Sequence, residues 1–240
     1  MKRYILIIIA VALLCTACNK NDMLKPKRTV YQTEQMSIEP TTQALTQIIT
    51  QAPTQETELK DTEFVRVEKY IPTIVTDLKY ATADNFTNQR IYDFDSAWLR
   101  YGTVKKLQLV ANELETQGYC IKIWDAFRPT AAQFKLWSIY PDATYVANPN
   151  VGFSSHSRGN TVDITLVYKD GTLVPMPTGF DDFTQLADRD YSDCTDEAME
   201  NALLLENTMK KYGFKPYFGE WWHFSDVDTY EVEKTFIPTE

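Results

Sequence analysis

Apolar residues recur at helical spacing in one segment near the middle of the chain. Val104, Leu107, Ala111 and Leu114 would share one face of a helix, and the pattern stops at Gly118, a residue type common just past helix C-termini. Two further helices are predicted on similar grounds, one from about Thr130 through Phe134 and Trp137, and one from about Thr195 to Tyr212, before Gly213.

Alternating apolar and polar residues predict strands between these helices. The segment YCIKIWD, from Tyr119 to Asp125, suits a half-buried strand, and Val162 to Tyr168 is interpreted as another. The Asp170-Gly171 pair indicates a turn that closes a hairpin onto the apolar residues after it. Because helices and strands mix without a regular βαβ rhythm, we predict a single α+β domain with a mainly antiparallel sheet and flanking helices.

The N-terminus has the pattern of a secretory signal peptide. A basic start precedes an apolar run from Tyr4 to Leu14, shorter than the roughly 20 residues of a membrane-spanning helix. The following CTAC resembles a bacterial lipobox, although Cys15 stands where leucine is usual. We predict a signal peptide over residues 1–17 and a lipidated Cys18 as the mature N-terminus; ordinary cleavage without lipid is the alternative.

The residues after Cys18 predict a tether that leads to one domain. Residues 19–62 are rich in Thr, Gln and Glu and contain Tyr31 as their only aromatic. Such a composition buries too little apolar surface to fold, so residues 18–62 are predicted to be a lipidated N-terminus and disordered linker, with an r.m.s. reach of roughly 40 Å. Residues 63–240 have a length that suits one compact domain.

The charge of the chain argues against nucleic acid as a partner. The formal net charge is −9, and loss of Lys2 and Arg3 with the signal peptide would change it to −11. Affinity for a phosphate backbone comes from clustered Lys and Arg, and the sequence has no basic stripe.

Two cysteines, Cys120 and Cys194, lie far apart in the domain. They could form a disulfide outside the cell, but two buried free thiols are the favoured interpretation, and their spacing does not suggest a cysteine metal site.

The two histidines of the chain each lie in a dense polar or aromatic segment. His156 is in SSHSRGNTVD and His223 is in GEWWHF. Neutral imidazole is a common metal ligand, and a catalytic zinc usually has three protein ligands and one open position. A single histidine is more often a hydrogen-bonded core residue. Two histidines in such segments favour a metal, with Asp163 and Glu220 as candidates to complete the set.

Sequence spacing constrains how these residues can meet. His156 and Asp163 are seven positions apart and would face opposite sides of an uninterrupted strand, so we predict a turn at residues 158–160. Glu220 and His223 are three apart and would also diverge on a flat strand. A kink, a helical turn, or an approach of the carboxylate through bound water all remain open.

Five segments together resemble the VanX-type D-alanyl-D-alanine dipeptidases, zinc enzymes related to the D,D-carboxypeptidases. They occur in the order of that family and span nearly the whole domain: DLKYATADNFT from Asp77, WDAFRP from Trp124, SSHSRGNTVD from Ser154, LVPMPTGFDDF from Leu173 and EWWHF from Glu220. The resemblance implies the zinc D,D-peptidase fold, also called hedgehog-like, and hydrolysis of D-Ala-D-Ala to two D-Ala.

The resemblance also implies one zinc ion per chain and its catalytic partners. His156, Asp163 and His223 would bind the zinc, Glu220 would be the general base, and Arg128 would stabilise developing negative charge. The chemistry is consistent with this assignment, because a zinc with three ligands lowers the pKa of bound water toward about 7 and an arginine is always charged. A surface salt bridge is the alternative for Arg128.

Three further residues are implied for substrate binding. Tyr80 and Asp181 would hold the free amino group of the dipeptide, and Ser154 would meet its carboxylate. Tyr80 could equally be a core aromatic, and Asp182 competes with Asp181 because the two are adjacent. The sequence departs from the family motif at Thr161, where the motif has alanine, which affects packing more than chemistry.

Other functions remain open from the sequence. The first is a D,D-carboxypeptidase that removes terminal D-Ala from peptidoglycan stem peptides, which a lipid-anchored protein on the extracytoplasmic face of the cell membrane could reach. The others are a binding lipoprotein without catalysis and a structural wall-associated domain. A free dipeptide or a cell-wall peptide is therefore the expected substrate, and the membrane is an expected partner through the lipid.

Overall fold

A computed structural model describes residues 58–239 of the 240-residue chain. The predicted signal peptide, Cys18 and most of the linker lie outside the described residues, so those predictions stay predictions. Among residues 58–239, no helix is long and apolar enough to cross a membrane.

Seven strands and three helices make up the regular structure of the described residues. In chain order they are β1 (Phe64–Arg66), β2 (Val75–Thr76), β3 (Trp98–Arg100), α1 (Tyr101–Thr116), β4 (Tyr119–Asp125), α2 (Thr130–Ile139), β5 (Thr161–Tyr168), α3 (Asp196–Lys211), β6 (Phe214–Tyr217) and β7 (Glu220–Asp226). Short 3₁₀ helices lie between them, at Val67–Lys69, Lys79–Ala81, Ser155–Arg158 and Gln185–Ala187.

The main sheet has five strands in the order β2-β4-β5-β7-β6. Only the β2–β4 pair is parallel; β4–β5, β5–β7 and β6–β7 are antiparallel. Strands β1 and β3 form a separate antiparallel pair. The predicted α+β domain with a mainly antiparallel sheet is confirmed.

The helices form where the apolar spacing predicted them. In α1, the four residues of the predicted face are buried, and the chain leaves the helix through Gly118 at φ +93°. Helix α3 begins after Thr195, whose side chain accepts a hydrogen bond from the backbone N–H of Ala198, a standard N-cap that satisfies one free donor of the first turn. Both helices pack against the sheet and against each other.

Strand β5 occupies the centre of the sheet and is buried along nearly its whole length. Residues 161–167 are all buried, on both faces of the strand, and only Tyr168 is exposed. The chain then turns through Gly171 at φ +85°, and Val167 bridges to Leu173. The predicted hairpin is present as this single bridge.

The two cysteines of the domain are free thiols, as predicted, but they are half-buried, whereas the prediction had them buried. Burial raises the pKa of both Cys120 and Cys194, so neither is an activated thiolate.

Gly159 makes the turn that separates His156 from β5. It ends the 3₁₀ helix Ser155–Arg158 in the left-handed conformation, with φ +76°. A Cβ at this position would lie 2.4 Å from a ring carbon of Phe64. Backbone conformation and close packing therefore both require glycine here, and the turn predicted between His156 and Asp163 is confirmed.

Replacing Gly159 by alanine tests this requirement. We expect Gly159→Ala to lower the free energy of unfolding by about 2–5 kcal/mol, because it adds a steric clash to left-handed backbone strain. Gly171→Ala is the matched control, since Gly171 has φ +85° but nothing within 4 Å of an added Cβ. It should cost only about 1–2 kcal/mol. Urea unfolding of both variants gives the comparison, and equal losses would contradict the packing argument.

Candidate metal and active site

Three neighbouring strands place three polar residues in one row across the sheet. Asp125 on β4 pairs with Asp163 on β5, and Asp163 pairs with His223 on β7. Directly paired residues of adjacent antiparallel strands project from the same face. The register of β4 shifts by one residue between Ile123 and Asp125, and this bulge brings Asp125 opposite Asp163.

The second histidine reaches this row from the 3₁₀ helix before Gly159. His156 Nε2 lies 3.2 Å from Asp163 Oδ2, and His223 Nδ1 lies 2.9 Å from Asp163 Oδ1. Potential ligand atoms of these three residues all lie within 4.8 Å of one another. The structure therefore brings together the three residues that the sequence nominated as metal ligands.

The hydrogen bonding of these residues fits a cation. His156 Nδ1 lies 2.8 Å from the carbonyl oxygen of Ala126 and is placed to donate to it, which leaves Nε2 as an acceptor. His156 Nε2 and Asp163 Oδ1 are both buried and have no hydrogen-bond partner of acceptable geometry. Buried acceptors without a partner are costly unless a positive ion lies beside them. Two imidazoles and one carboxylate match the ligand set of a catalytic zinc site.

The neighbouring charges in this site shift the pKa values of Asp163 and His156 in opposite directions. Burial alone would raise the pKa of the Asp163 carboxyl, but His156 and His223 hold that pKa well below its usual range. Burial would lower the pKa of His156, whereas Asp163 and then Asp125 raise it, with a net upward shift. Asp163 is thus a carboxylate anion that requires positive charge beside it.

Glu220 and His223 meet through a large irregularity between β6 and β7. Pro216 pairs with Phe224 but the next residue, Tyr217, pairs with Glu220, so residues 221–223 bulge away from the β6 ladder. As a result Glu220 Oε2 lies 3.4 Å from His223 Nδ1. Of the alternatives left open by the sequence, the kinked strand is therefore correct for the backbone and the helical turn is wrong.

The environment of Glu220 suits a group that exchanges protons. The two tryptophans that follow it are each 1% exposed. Burial raises the pKa of Glu220, and the negative charge of Asp163 adds to this, against the lowering effect of His223. A carboxyl group with a raised pKa is a better proton acceptor and donor near neutral pH than an ordinary glutamate.

Arg128 is buried at the site and is not part of a surface salt bridge. Its Nε and Nη2 donate to Asp125 Oδ2 at 3.2 and 2.6 Å, and Nη1 donates to Gln133 Oε1 at 3.1 Å. Although burial would lower its pKa, Asp125 raises it well above the ordinary value, so the guanidinium stays charged. Two of its five N–H groups remain for a ligand.

The residues proposed for the substrate amino group lie in contact. The Tyr80 hydroxyl donates to Asp181 Oδ2 at 2.8 Å, which favours Asp181 over Asp182 for this position. Burial raises the pKa of Asp181 to about 8, and the charges of Asp163 and Glu220 contribute to the rise. An ammonium group is the natural partner for a carboxyl group in such surroundings, because it restores the ionised form.

Ser154 begins the segment SSHSRGNTVD, which ends at Asp163. Its side chain caps the 3₁₀ helix by accepting from the backbone N–H of His156 at 3.4 Å. Its hydroxyl hydrogen therefore remains available to an anionic ligand.

A cavity of about 230 Å³ connects all of these groups. This is smaller than the roughly 300–1,000 Å³ of pockets for drug-sized ligands, and it suits a molecule of dipeptide size. Its lining contains every residue that the sequence nominated for the site: Tyr80, Arg128, Ser154, His156, Asp163, Asp181, Glu220 and His223.

The sequence did not single out Asp125 or Gln133. Asp125 also accepts from the Tyr92 hydroxyl at 2.6 Å and lies 3.7 Å from His156 Nδ1, so one buried carboxylate orients Arg128 and places a negative charge beside a candidate metal ligand. Its position three residues before Arg128 in WDAFRP was the available signal. Gln133, in the first turns of α2, carried no such signal.

The chain matches the family model described as D-ala-D-ala dipeptidase, Peptidase_M15, over residues 60–239. It is 36% identical over 163 residues to the D-alanyl-D-alanine dipeptidase of Escherichia coli K12, a match that covers 68% of this chain and 84% of the relative. It is 32% identical over 182 residues to the D-alanyl-D-alanine dipeptidase of Enterococcus faecium, with 67% and 90% covered.

Similarity to solved structures is weaker. A VanY D,D-pentapeptidase mutant in complex with Zn(II) aligns with a TM-score of 0.38 at 16% identity, over 56% of this chain and 75% of that one. A TM-score this low supports no argument, and family membership rests on the sequence matches alone.

The match over three quarters of the chain, together with relatives above 30% identity along most of their length, shows that this chain belongs to the D-Ala-D-Ala dipeptidase family Peptidase_M15.

Proposed function

We propose that this protein is a zinc-dependent dipeptidase that hydrolyses D-Ala-D-Ala to two molecules of D-Ala. One observation carries the proposal: potential ligand atoms of His156, Asp163 and His223 lie within 4.8 Å of one another, in a small cavity that Glu220 and Arg128 also line. Two buried acceptors of this group, His156 Nε2 and Asp163 Oδ1, have no hydrogen-bond partner. This set combines three metal ligands with a general base and a fixed positive charge. Membership in the dipeptidase family supports the substrate.

Zinc held by the two histidines and Asp163 would supply a Lewis acid and lower the pKa of water toward about 7. Glu220 takes a proton from the attacking water at its carboxylate and later delivers it to the leaving amine. The raised pKa of Glu220 favours both transfers near neutral pH.

Arg128 provides charge stabilisation in a low-dielectric site. Asp125 and Gln133 fix the guanidinium plane before substrate binds, so the charge needs no reorganisation as an oxyanion develops. Asp125 also neutralises part of that charge. The two remaining N–H groups therefore act as oriented donors more than as a free cation.

The remaining residues select the two ends of the substrate. Asp181, held by Tyr80, binds the free ammonium group, and Ser154 donates its hydroxyl hydrogen to the carboxylate. A substrate whose amine is acylated offers no positive charge to Asp181. This arrangement favours a free dipeptide over the end of a wall peptide.

We also propose that the protein is a lipoprotein, attached through Cys18 to the extracytoplasmic face of the cell membrane. The basic start, the short apolar run and the lipobox-like CTAC support this proposal. Residues 19–62 would then act as a linker that holds the domain away from the lipid surface.

The role of Glu220 is tested by a near-isosteric substitution. Glu220→Gln should lower kcat by about 10²–10⁴-fold, because the amide cannot accept the proton, while zinc content stays at one ion per chain. Glu200→Gln is the control, since Glu200 is an exposed glutamate on α3. Steady-state hydrolysis of D-Ala-D-Ala and metal analysis of the same samples give both readings. Retained activity with bound zinc would show that Glu220 is not the base.

Selection for a free amine is tested with a substrate pair. Wild-type protein should hydrolyse D-Ala-D-Ala in preference to N-acetyl-D-Ala-D-Ala. Asp181→Asn should lower kcat/KM for the free dipeptide roughly 30-fold or more, because it removes a buried charge partner. Lowering the pH through about 8 should act in the same direction as Asp181→Asn, since Asp181 in the free protein becomes protonated below its raised pKa of about 8 and loses its charge. Asp182→Asn, at the adjacent position, is the matched control and should change little.

Preference for the acylated substrate would instead support a D,D-carboxypeptidase.

Lipidation is tested on the full chain in the producing cells. Wild-type protein should partition into the detergent phase and carry an acyl mass increment on its N-terminal peptide. Cys18→Ser should remove both properties, whereas Cys15→Ser, a control at the neighbouring cysteine, should keep them. Detergent partition that survives Cys18→Ser would contradict the anchor.

A further inference from the structure

The bulge of β7 interrupts the backbone pairing between β6 and β7, which form the hairpin that carries Glu220 and His223. Residues 221–223 have no counterparts on β6, although they connect Glu220 to His223. Unpaired carbonyl groups in a buried segment need other donors. Without them the hairpin could return to a regular register, in which Glu220 and His223 would point to opposite faces.

Arg189, in the segment before α3, donates to one carbonyl of this bulge, that of His223, and to two carbonyls at the other side of the hairpin. Its Nε donates to the carbonyl oxygen of Tyr217 at 2.7 Å, and its Nη2 donates to that of His223 at 2.9 Å. Its backbone N–H donates to the carbonyl of Phe218 at 3.0 Å. One residue therefore connects both sides of the irregular hairpin.

The guanidinium of Arg189 is itself held in place. Nη1 donates to Glu206 Oε2 at 3.0 Å and to the Tyr191 hydroxyl at 3.3 Å, and the guanidinium stacks over the ring of Phe224 at 4.4 Å. The Arg189 side chain is only 5% exposed. A buried charge with this many partners is fixed in position, and helix α3 anchors it through Glu206.

We propose that Arg189 is a positioning residue that sets the separation of Glu220 and His223 by holding the β7 bulge. It lies outside the substrate cavity and acts through the two backbone carbonyls. Its planar fork of donors spans both carbonyls and Glu206 at once, which a lysine cannot do from a single nitrogen. The effect on catalysis rests on the proposed function, whereas the effect on metal binding does not.

Substitution of Arg189 should therefore weaken zinc binding and slow chemistry together. We expect Arg189→Ala and Arg189→Lys to raise the zinc dissociation constant about 10–100-fold, the range for residues that orient a metal ligand. We expect kcat to fall about 10–100-fold with KM changed far less, since a misplaced base affects chemistry more than binding. Millimolar guanidinium should restore part of the zinc affinity and kcat of Arg189→Ala.

Two controls separate positioning from general stability. Leu107→Ala removes a fully buried side chain from α1, which contributes no residue to the cavity, and should destabilise the fold without changing zinc affinity. Lys210→Ala removes the exposed second ion-pair partner of Glu206 and should leave both zinc affinity and kcat unchanged. Glu206→Gln should have an effect between wild type and Arg189→Lys.

The zinc titration gives the decisive result at a temperature where all variants are folded. A zinc dissociation constant for Arg189→Lys within twofold of wild type would overturn the proposal. Equal losses of zinc affinity in Arg189→Lys and Leu107→Ala, compared at the same stability, would also overturn it. If Arg189→Ala does not fold, Arg189→Lys and Glu206→Gln still decide the question. Should D-Ala-D-Ala prove not to be the substrate, the zinc constants test this inference independently.

Discussion

A carboxylate buried between two histidines is the interaction on which this site depends. Asp163 is 3% exposed, lies in the central strand of the sheet, and has a pKa held far below normal by the imidazoles beside it. A buried anion is stable only with positive charge and hydrogen bonds around it. A divalent cation held by Asp163, His156 and His223 satisfies this requirement. The surrounding backbone brings these three side chains together.

Three departures from regular structure make that arrangement possible. A one-residue bulge in β4 sets Asp125 opposite Asp163, the left-handed turn at Gly159 returns His156 toward β5, and the long bulge of β7 turns Glu220 and His223 to one side. Each positions a residue that lines the cavity or contacts one that does. Irregular backbone is thus concentrated where chemistry is proposed, as expected when function competes with regular pairing.

Local patterns predicted much of the fold because their causes are local. The helical face of α1 and the glycine after it, the alternation of β4, and the turn at Gly159 all depend on nearby residues. His156, Asp163 and His223, which the sequence nominated as metal ligands, lie together in the structure. The turn between the first two could be predicted from spacing and turn chemistry. The resemblance to a known family supplied the substrate residues Tyr80, Ser154 and Asp181, which composition alone could not.

What could not be predicted depends on contacts between distant segments. The conformation of GEWWHF stayed open because the bulge is fixed by Arg189, about thirty residues earlier in an unremarkable polar loop. Asp125 was missed because its importance comes from Tyr92, Arg128 and His156 meeting at one carboxylate.

The most direct test of the central claim is X-ray absorption at the zinc edge of the zinc-loaded protein. The account predicts one zinc per chain with two imidazole nitrogens and oxygen ligands at about 2.0–2.2 Å; a sulfur ligand at about 2.3 Å, or no stoichiometric zinc, would contradict it.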